Sequence, residues 1–168
     1  MTICVVNETN GMTESPAGLI YLDTNVFIKA VEGLDQAAAP AKTLIEALRR
    51  QRAGTAATSE ITFAEVLAPP KRADALPLHV KRRAYLDLLL WSGFVALIPV
   101  SRDILIETAK LRAMGKFKLP DAVHLVSAIR VRCRFFVSAD RDFDKMPEGM
   151  ERVDCDHDNL PRLLKAPS

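Results

Sequence analysis

The sequence predicts a three-layer α/β/α sandwich with a central parallel sheet. Short apolar runs alternate with longer helical stretches, and the helical connections are long enough to return the chain for parallel pairing. The chain has 168 residues, 49% of them hydrophobic and 26% charged, which is typical of one globular domain. A chain of this size buries roughly 70% of its unfolded surface, so we expect a core that needs no disulfide or structural metal.

Five apolar runs are predicted as strands. The first, GLIYLD, fits a buried strand, whereas GTAATS is a weaker candidate. The predicted strands span 18–23, 54–59, 94–100, 134–140 and 151–155.

Helices are predicted between these strands from composition and end signals. Gly54 and the pair Pro69 and Pro70 suit helix ends, Ser101 suits an N-cap, and Pro120 suits a first turn. The predicted helical stretches span 27–31, 37–52, 59–67, 77–91, 101–114 and 119–132.

The chain divides into an arm and one domain. Residues 1–17 are polar and turn-rich apart from 3–6, and we interpret them as an appended N-terminal arm of uncertain order. Residues 18–168 form the single predicted domain.

Net charge and cysteine content exclude several classes of protein. The net charge is +2, which excludes a polybasic nucleic-acid-coating protein and an acidic disordered tail. Cys4, Cys133 and Cys155 are odd in number and form no CxxC pair, which argues against a disulfide framework or a thiolate zinc site. The N-terminus does not resemble a secretion signal, and the apolar region 84–100 is interrupted by polar and turn-forming residues. We therefore expect a cytoplasmic protein without a membrane partner.

Two acids lie at the ends of predicted strands, where ligands bind in open parallel sheets. Asp23 ends the first strand in YLDTN, and Asp140 ends a later strand in FFVSAD. Each acid taken alone is also explained as a helix N-cap or a turn residue.

Two further acids occupy apolar helical surroundings. Glu65 lies in SEITFAEVLAPP, and Asp121 lies in LPDAVHLVSA, where a first-turn acid also favourably meets the helix dipole. We expect Ala122, Leu125 and Ile129 of the second helix to face the core. Grouping several buried carboxylates is costly unless a cation offsets their charge. Oxygen-only ligation favours Mg²⁺ or Mn²⁺ over zinc and predicts phosphodiester hydrolysis by a metal-activated water.

Basic residues flank the acids and form a candidate surface for a polyanion. Lys116 and Lys118 precede Asp121, and Arg141 follows Asp140, so these three are the candidate polyanion-binding residues. A second basic group follows Glu65, and either group is also explained as an ordinary solvated face. The second group consists of Lys71, Arg72, Lys81, Arg82 and Arg83.

The segments YLDTNVFI, LPDAVHLVSA and VSADRDFDKM, together with Glu65, resemble the acidic motifs of the PIN-domain ribonucleases. The resemblance covers roughly residues 18 to 155 and is closest to the VapC-type toxins of toxin-antitoxin pairs. It implies metal-dependent endonucleolytic cleavage of RNA, a homodimer and a small inhibitory antitoxin.

The resemblance also implies roles for individual residues. Asp23, Glu65 and Asp121 would ligate Mg²⁺ or Mn²⁺, directly or through water, and Asp140 would complete the catalytic acidic pocket. Three supporting residues are implied as well: Asn25 and Ser138 would orient carboxylates, and Asp142 would be an auxiliary acid.

Two other functions remain alternatives. A haloacid dehalogenase-type phosphatase also begins with a strand-end Asp, but its chemistry requires a second Asp where this chain has Asn25. A non-catalytic binding module of the same fold would bind RNA or protein without cleavage.

Three other features are interpreted as structural. The segment 154–159 resembles the start of an EF-hand loop but lacks its Gly and Glu, so we expect no calcium site. His124 could serve as a proton carrier or outer donor, although a partly buried structural histidine is the preferred interpretation. Trp91 is expected in the core or at a subunit contact.

Overall fold

A central parallel sheet organises the molecule. The computed structural model describes residues 19–51, 54–69, 76–115, 117–143 and 146–165. Within these ranges the strands pair in the order β3-β2-β1-β4-β5, and every pairing is parallel. The strands are β1 (Ile20–Leu22), β2 (Ala56–Ser59), β3 (Val95–Ile98), β4 (Phe135–Val137) and β5 (Glu151–Val153).

The connections between strands are helical, as crossover geometry requires. A π-helical turn, Asp87–Trp91, extends α4, and short 3₁₀ turns occupy Gln36–Ala38 and Arg141–Phe143. The sequence analysis did not predict α7, which packs against α2. The helices are α1 (Thr24–Glu32), α2 (Ala39–Arg50), α3 (Ile61–Val66), α4 (Leu78–Leu86), α5 (Arg102–Met114), α6 (Leu119–Arg130) and α7 (Leu160–Lys165).

Both faces of the sheet are buried. Alternate residues of β1 point to opposite faces: Ile20 and Leu22 pack in one apolar cluster with Leu44 of α2, and Tyr21 packs in another with Leu125 of α6. Helices α1, α2 and α7 therefore cover one face, while α6 covers the other with α5 against it. The predicted three-layer sandwich with a parallel sheet is confirmed.

Three local expectations differ from the structure. Helix α3 begins after Glu60, because Ser59 is the last residue of β2. Ile129 is 40% exposed, because Ala128 takes the inward position and successive helical residues point about 100° apart. Trp91 is 67% exposed, which rules out the core alternative and leaves the subunit contact as a prediction, because Leu88 and Leu89 fill the inward positions of its turn.

Some expectations fall outside the described residues. They concern the arm at 1–17, Lys116, and Lys71 with Arg72. Among the described helices, none has both the length and the apolar composition needed to cross a bilayer.

The strand order creates a crevice at the carboxyl end of the sheet. The chain moves from β1 to β2 and β3 on one side and returns to place β4 and β5 on the other. Connections therefore diverge between β1 and β4, which is where open parallel sheets bind ligands. The backbone N–H of Asp23 donates to the carbonyl of Val137 at 3.0 Å, so residues that follow β1 and β4 lie side by side.

Replacing Leu44 with alanine should lower the free energy of unfolding by about 3 kcal/mol, because its side chain is fully buried between α2 and the sheet. The matched control is Leu34→Ala, whose side chain is 97% exposed and whose loss should cost less than about 0.5 kcal/mol. Urea unfolding of the two variants measures the difference, and equal values would contradict the assigned core.

Candidate active site

Asp23 joins the amino end of α1 to the carboxyl end of β1. It is only 8% exposed and is the N-cap of α1, with Oδ1 accepting the backbone N–H of Thr24 at 2.7 Å. Its other oxygen, Oδ2, accepts from Asn25 Nδ2 and from Ser138 Oγ, each at 2.6 Å. Burial raises the pKa of Asp23 above its ordinary value in spite of these hydrogen bonds. Asp23 is therefore both the N-cap of α1 and one of the acids of the crevice.

Ser138 and Asn25 fix the loop after β4 against Asp23. The Ser138 hydroxyl donates to Asp23 and accepts from Asn25 Nδ2 and from the backbone N–H of Asp140, both at 3.0 Å. Arg152 Nη1 holds the Ser138 carbonyl at 2.9 Å. The structure thus brings both predicted orienting residues into contact with the Asp23 carboxylate.

Glu65 enters the crevice from α3. Its Oε2 accepts from Thr24 Oγ1 at 2.5 Å and from His124 Nε2 at 2.9 Å. Burial acts to raise the pKa of Glu65, but the hydrogen bonds from His124 and Thr24 prevail and hold it below its ordinary value. Glu65 is therefore ionised at neutral pH.

Asp121 lies in the first turn of α6, opposite the loop after β4. Its Oδ2 is buried and has no hydrogen-bond partner among the described residues. Burial, then repulsion from Asp140, raises the pKa of Asp121, with smaller contributions from Asp23 and Glu65. Carboxylate oxygens of Asp121, Asp140 and Asp142 lie within 4.8 Å of one another. Asp121, Asp140 and the exposed Asp142 therefore form one cluster. Asp23 and Glu65 lie outside that cluster and act on Asp121 through their charges.

The donor set fits a hard divalent cation. A buried carboxylate oxygen without a partner is unfavourable, and neighbouring negative charges increase the cost unless a proton or a cation compensates them. Every candidate ligand here is a carboxylate oxygen, the type that Mg²⁺ and Mn²⁺ prefer. The orphaned Oδ2 of Asp121 is the observation that favours such an ion.

Three polar residues beneath the acids were missed or undervalued by sequence reasoning. His124 is 1% exposed, and it donates to Glu65 while contacting Tyr21 and Thr24. The available signal was its position three residues after Asp121, which places both residues on one face of α6. Tyr21 and Thr24 carried no comparable signal, because a strand tyrosine and a first-turn threonine are ordinary residues at such positions.

The predicted basic residues differ in environment. Lys118 and Arg141 are exposed, and the Lys118 charge acts to lower the pKa of Asp121, which places it near the acids. Lys81 is not part of a solvated face: it is 7% exposed and pairs with Glu32 at 3.1 Å.

The segment 154–159 has its acids committed to local contacts. Asp154 accepts from Arg152 at 2.9 Å, and Asp156 accepts the backbone N–H of Asn159 at 2.8 Å. These contacts tie Asp154 and Asp156 to neighbouring residues of the same segment.

Comparisons with known proteins agree with this fold and crevice. The PIN domain family model matches residues 20–149. The chain is similar to a toxin-antitoxin complex from Klebsiella pneumoniae, with 28% identity and a TM-score of 0.56 over 79% of this chain and 95% of that chain. No curated protein matches the chain significantly.

Two more solved structures share the fold. VapBC2 from Rickettsia felis, bound to a DNA fragment from their promoter, is 17% identical with a TM-score of 0.57, over 81% of this chain and 98% of that chain. FitAB bound to an IR36 DNA fragment is 16% identical with a TM-score of 0.54, over 82% and 95%.

With a family match across most of its length, this chain belongs to the PIN domain family. The resemblance drawn from the acidic motifs is confirmed.

Replacing Asp121 with asparagine should stabilise the metal-free chain near pH 7. Since the folded state raises the pKa of Asp121, stability falls as pH rises from the ordinary pKa through the raised one. Asparagine removes that penalty, and we expect a gain on the order of 0.5 kcal/mol in this solvent-screened site. Urea unfolding in EDTA measures it.

The gain should shrink as the pH falls toward the ordinary pKa of an aspartate, because the raised pKa lets the folded chain protonate Asp121 at a higher pH than the unfolded chain does. Asp35→Asn, at an exposed position, is the matched control and should show no such pH-dependent gain. Loss of stability at neutral pH in the Asp121 variant would contradict the assigned electrostatic repulsion.

Proposed function

We propose that this chain is a metal-dependent endoribonuclease that acts as the toxin of a toxin-antitoxin pair. The main supporting observation is the buried Oδ2 of Asp121, which has no hydrogen-bond partner among the described residues. Its carboxyl group clusters with Asp140 and is repelled by Asp23 and Glu65. Membership of the PIN domain family supports the nuclease class, and the solved toxin-antitoxin complexes support the biological setting.

In the proposed site, Asp23, Glu65 and Asp121 hold Mg²⁺ or Mn²⁺, directly or through water. Asp140 completes the acidic pocket, and Asp142 is the auxiliary acid at the rim. A bound divalent ion supplies an acidified water as nucleophile and a Lewis acid for the phosphate oxygens in phosphodiester hydrolysis.

The chain's own residues prepare this chemistry by fixing the carboxylates. Asn25 and Ser138 both donate to Asp23 Oδ2, so one oxygen of that carboxylate has a set direction before substrate arrives. The backbone N–H of Asp142 donates to Asp140 Oδ1 at 2.9 Å, which orients the fourth acid. Oriented ligands reduce the reorganisation needed during reaction.

Exposed basic residues beside the acids would hold the RNA backbone. Lys118 precedes Asp121 by three residues, Arg141 directly follows Asp140, and both are solvent-exposed. Cations there would neutralise phosphates on either side of the scissile bond. Lys116 belongs to the same proposal from the sequence.

The proposed partner is a small antitoxin, and the proposed assembly contains a homodimer. Support for the antitoxin comes from the 28% identical toxin-antitoxin complex, whose matched chain this chain covers to 95%. A cytoplasmic location is also proposed, because Cys133 and Cys155 are buried free thiols of the kind that reducing compartments maintain.

The site gives less support to the two alternatives. Asn25 stands where a haloacid dehalogenase-type phosphatase requires an acid, and its amide donates to Asp23 and cannot donate a proton as that general acid does. A non-catalytic module would have no reason to keep an unpartnered carboxylate oxygen buried among other acids.

Asp23→Asn and Asp121→Asn should each reduce RNA cleavage by at least about 100-fold, because each removes a negative ligand from a site worth several kcal/mol of transition-state stabilisation. The assay incubates purified protein with total RNA, with Mg²⁺ or EDTA, and maps fragment ends. Asp158→Asn, at an exposed position outside the crevice, is the control and should cleave normally. Full activity in both crevice variants, with the fold verified by circular dichroism, would refute the assignment.

Lys118→Ala and Arg141→Ala should weaken RNA binding broadly across sequences. The logarithm of the RNA affinity falls linearly with the logarithm of the salt concentration. If each residue neutralises about one phosphate of single-stranded RNA, each variant should make that slope shallower by roughly 0.7. Fluorescence anisotropy in Ca²⁺ buffer, with Asp121→Asn as the cleavage-deficient background, measures the slope. Exposed Arg102→Ala is the charge-matched control, and an identical slope change in that control would remove the special role of the pair.

A further inference from the structure

A series of hydrogen-bonded, buried polar side chains lies beneath Glu65 and connects it to the centre of the sheet. Tyr21 OH lies 2.8 Å from His124 Nδ1, and His124 Nε2 lies 2.9 Å from Glu65 Oε2. Tyr21 is fully buried and His124 is 1% exposed, whereas the Glu65 side chain is 30% exposed. These hydrogen bonds therefore lead from the interior of the protein to the carboxylate of Glu65.

At Glu65, both hydrogen bonds are donated to the carboxylate. An ionised carboxylate only accepts, so His124 Nε2 must carry a hydrogen and donate it, whichever charge state the ring adopts. The Thr24 hydroxyl donates to the same Oε2 at 2.5 Å. Among the described residues, hydrogen bonds reach only Oε2 of Glu65, which leaves Oε1 available to a ligand.

The surrounding packing allows little freedom to the imidazole ring. Tyr21 stacks on Phe136 with ring centroids 5.1 Å apart and meets His124 edge-on at 5.9 Å. Thr24 Oγ1 lies 3.0 Å from His124 Nε2 and 3.2 Å from the buried Thr62 hydroxyl. The donor that faces Glu65 is thus held by contacts from β1, α1 and α3.

We propose that His124, oriented by Tyr21, is a positioning residue that holds the Glu65 carboxylate so that its free oxygen faces the cation. This inference rests on the proposed function, since it assigns Glu65 to the metal site. His124 touches neither substrate nor ion in this role and acts through its hydrogen bond to Glu65, while its Nε2 also lies 3.8 Å from Asp23 Oδ1. Hydrogen-bond partners that orient a ligand in this way are commonly worth 10- to 100-fold in metal affinity.

Two amide substitutions separate the proposed contact from simple loss of a buried ring. In His124→Gln, the side-chain amide nitrogen can reach the position of Nε2 and still donate to Glu65. In His124→Asn, the shorter side chain places its amide near the position of Nδ1, which faces Tyr21 and not Glu65. The two variants match in chemical group and differ in reach, so they form a rescue pair.

The measurement is the dissociation constant of Mn²⁺ in the absence of RNA, from the electron paramagnetic resonance signal of free Mn²⁺. We expect His124→Gln to bind within about 3-fold of the unaltered chain and His124→Asn to bind at least about 10-fold more weakly. Thermal unfolding of the metal-free proteins shows whether both variants are folded at the temperature used. Equal Mn²⁺ affinity in the unaltered chain and folded His124→Asn would overturn the proposal.

Tyr21→Phe keeps the inference testable if the His124 variants do not fold. It retains the ring that stacks on Phe136 and removes only the hydroxyl that contacts Nδ1. We expect a 3- to 10-fold loss of Mn²⁺ affinity, and unchanged affinity in folded Tyr21→Phe would contradict the role given to Tyr21.

The outcomes separate this inference from the proposed function. If the unaltered chain binds Mn²⁺ without cleaving RNA, the nuclease proposal fails and the positioning role is still decided by the Mn²⁺ affinities. Cleavage and Mn²⁺ binding that do not respond to His124→Asn would refute the positioning role alone. Absence of Mn²⁺ binding by the unaltered chain would refute both.

Discussion

The structure of the crevice depends on the cost of placing several carboxylates together in a partly buried space. Burial and mutual repulsion raise the pKa of Asp23 and Asp121, while hydrogen bonds hold that of Glu65 down. The pKa values of carboxylates in one site are therefore shifted in opposite directions. Some carboxylates are stabilised by donors of the chain, whereas one oxygen of Asp121 has no hydrogen-bond partner among the described residues. A hard divalent cation would supply both the compensating charge and the missing contact.

The parallel sheet makes this arrangement feasible. Because β1 lies between β2 and β4, the residues after its end meet those after β4, and α1 begins directly at Asp23. The amino end of α1 supplies the Thr24 N–H to Asp23, and the Thr24 side chain supplies a hydroxyl to Glu65. One turn of helix thus serves two acids from different elements. The stability lost to repulsion is offset by the large apolar clusters on both faces of the sheet.

The polar layer beneath the acids distinguishes this crevice from a cluster of surface carboxylates. Thr58, Thr62 and Thr24 form a buried line of hydroxyls from the Leu22 carbonyl toward Glu65, and Tyr21 with His124 approaches from the other side. A buried network is stabilising only when its members are paired. Here Thr58 donates to the Leu22 carbonyl, Thr62 donates to Thr58, and Thr24 donates to Glu65. Such a network limits the motion of Glu65 more than packing alone would.

The sequence by itself determined the fold class and identified the candidate acids of the site. Alternating apolar runs and crossover helices required a parallel sheet, and an acid at a strand end or in an apolar helix is visible from its immediate neighbours. Tertiary structure decided the parts that depend on distant residues. The ion pair of Lys81 with Glu32 and the hydrogen bond of His124 to Glu65 each join elements far apart in sequence. The burial of Asp121 Oδ2 without a partner likewise depends on residues distant from it in sequence. Local patterns report periodicity and end signals, but a hydrogen bond across 59 residues exists only after the helices have packed on the sheet.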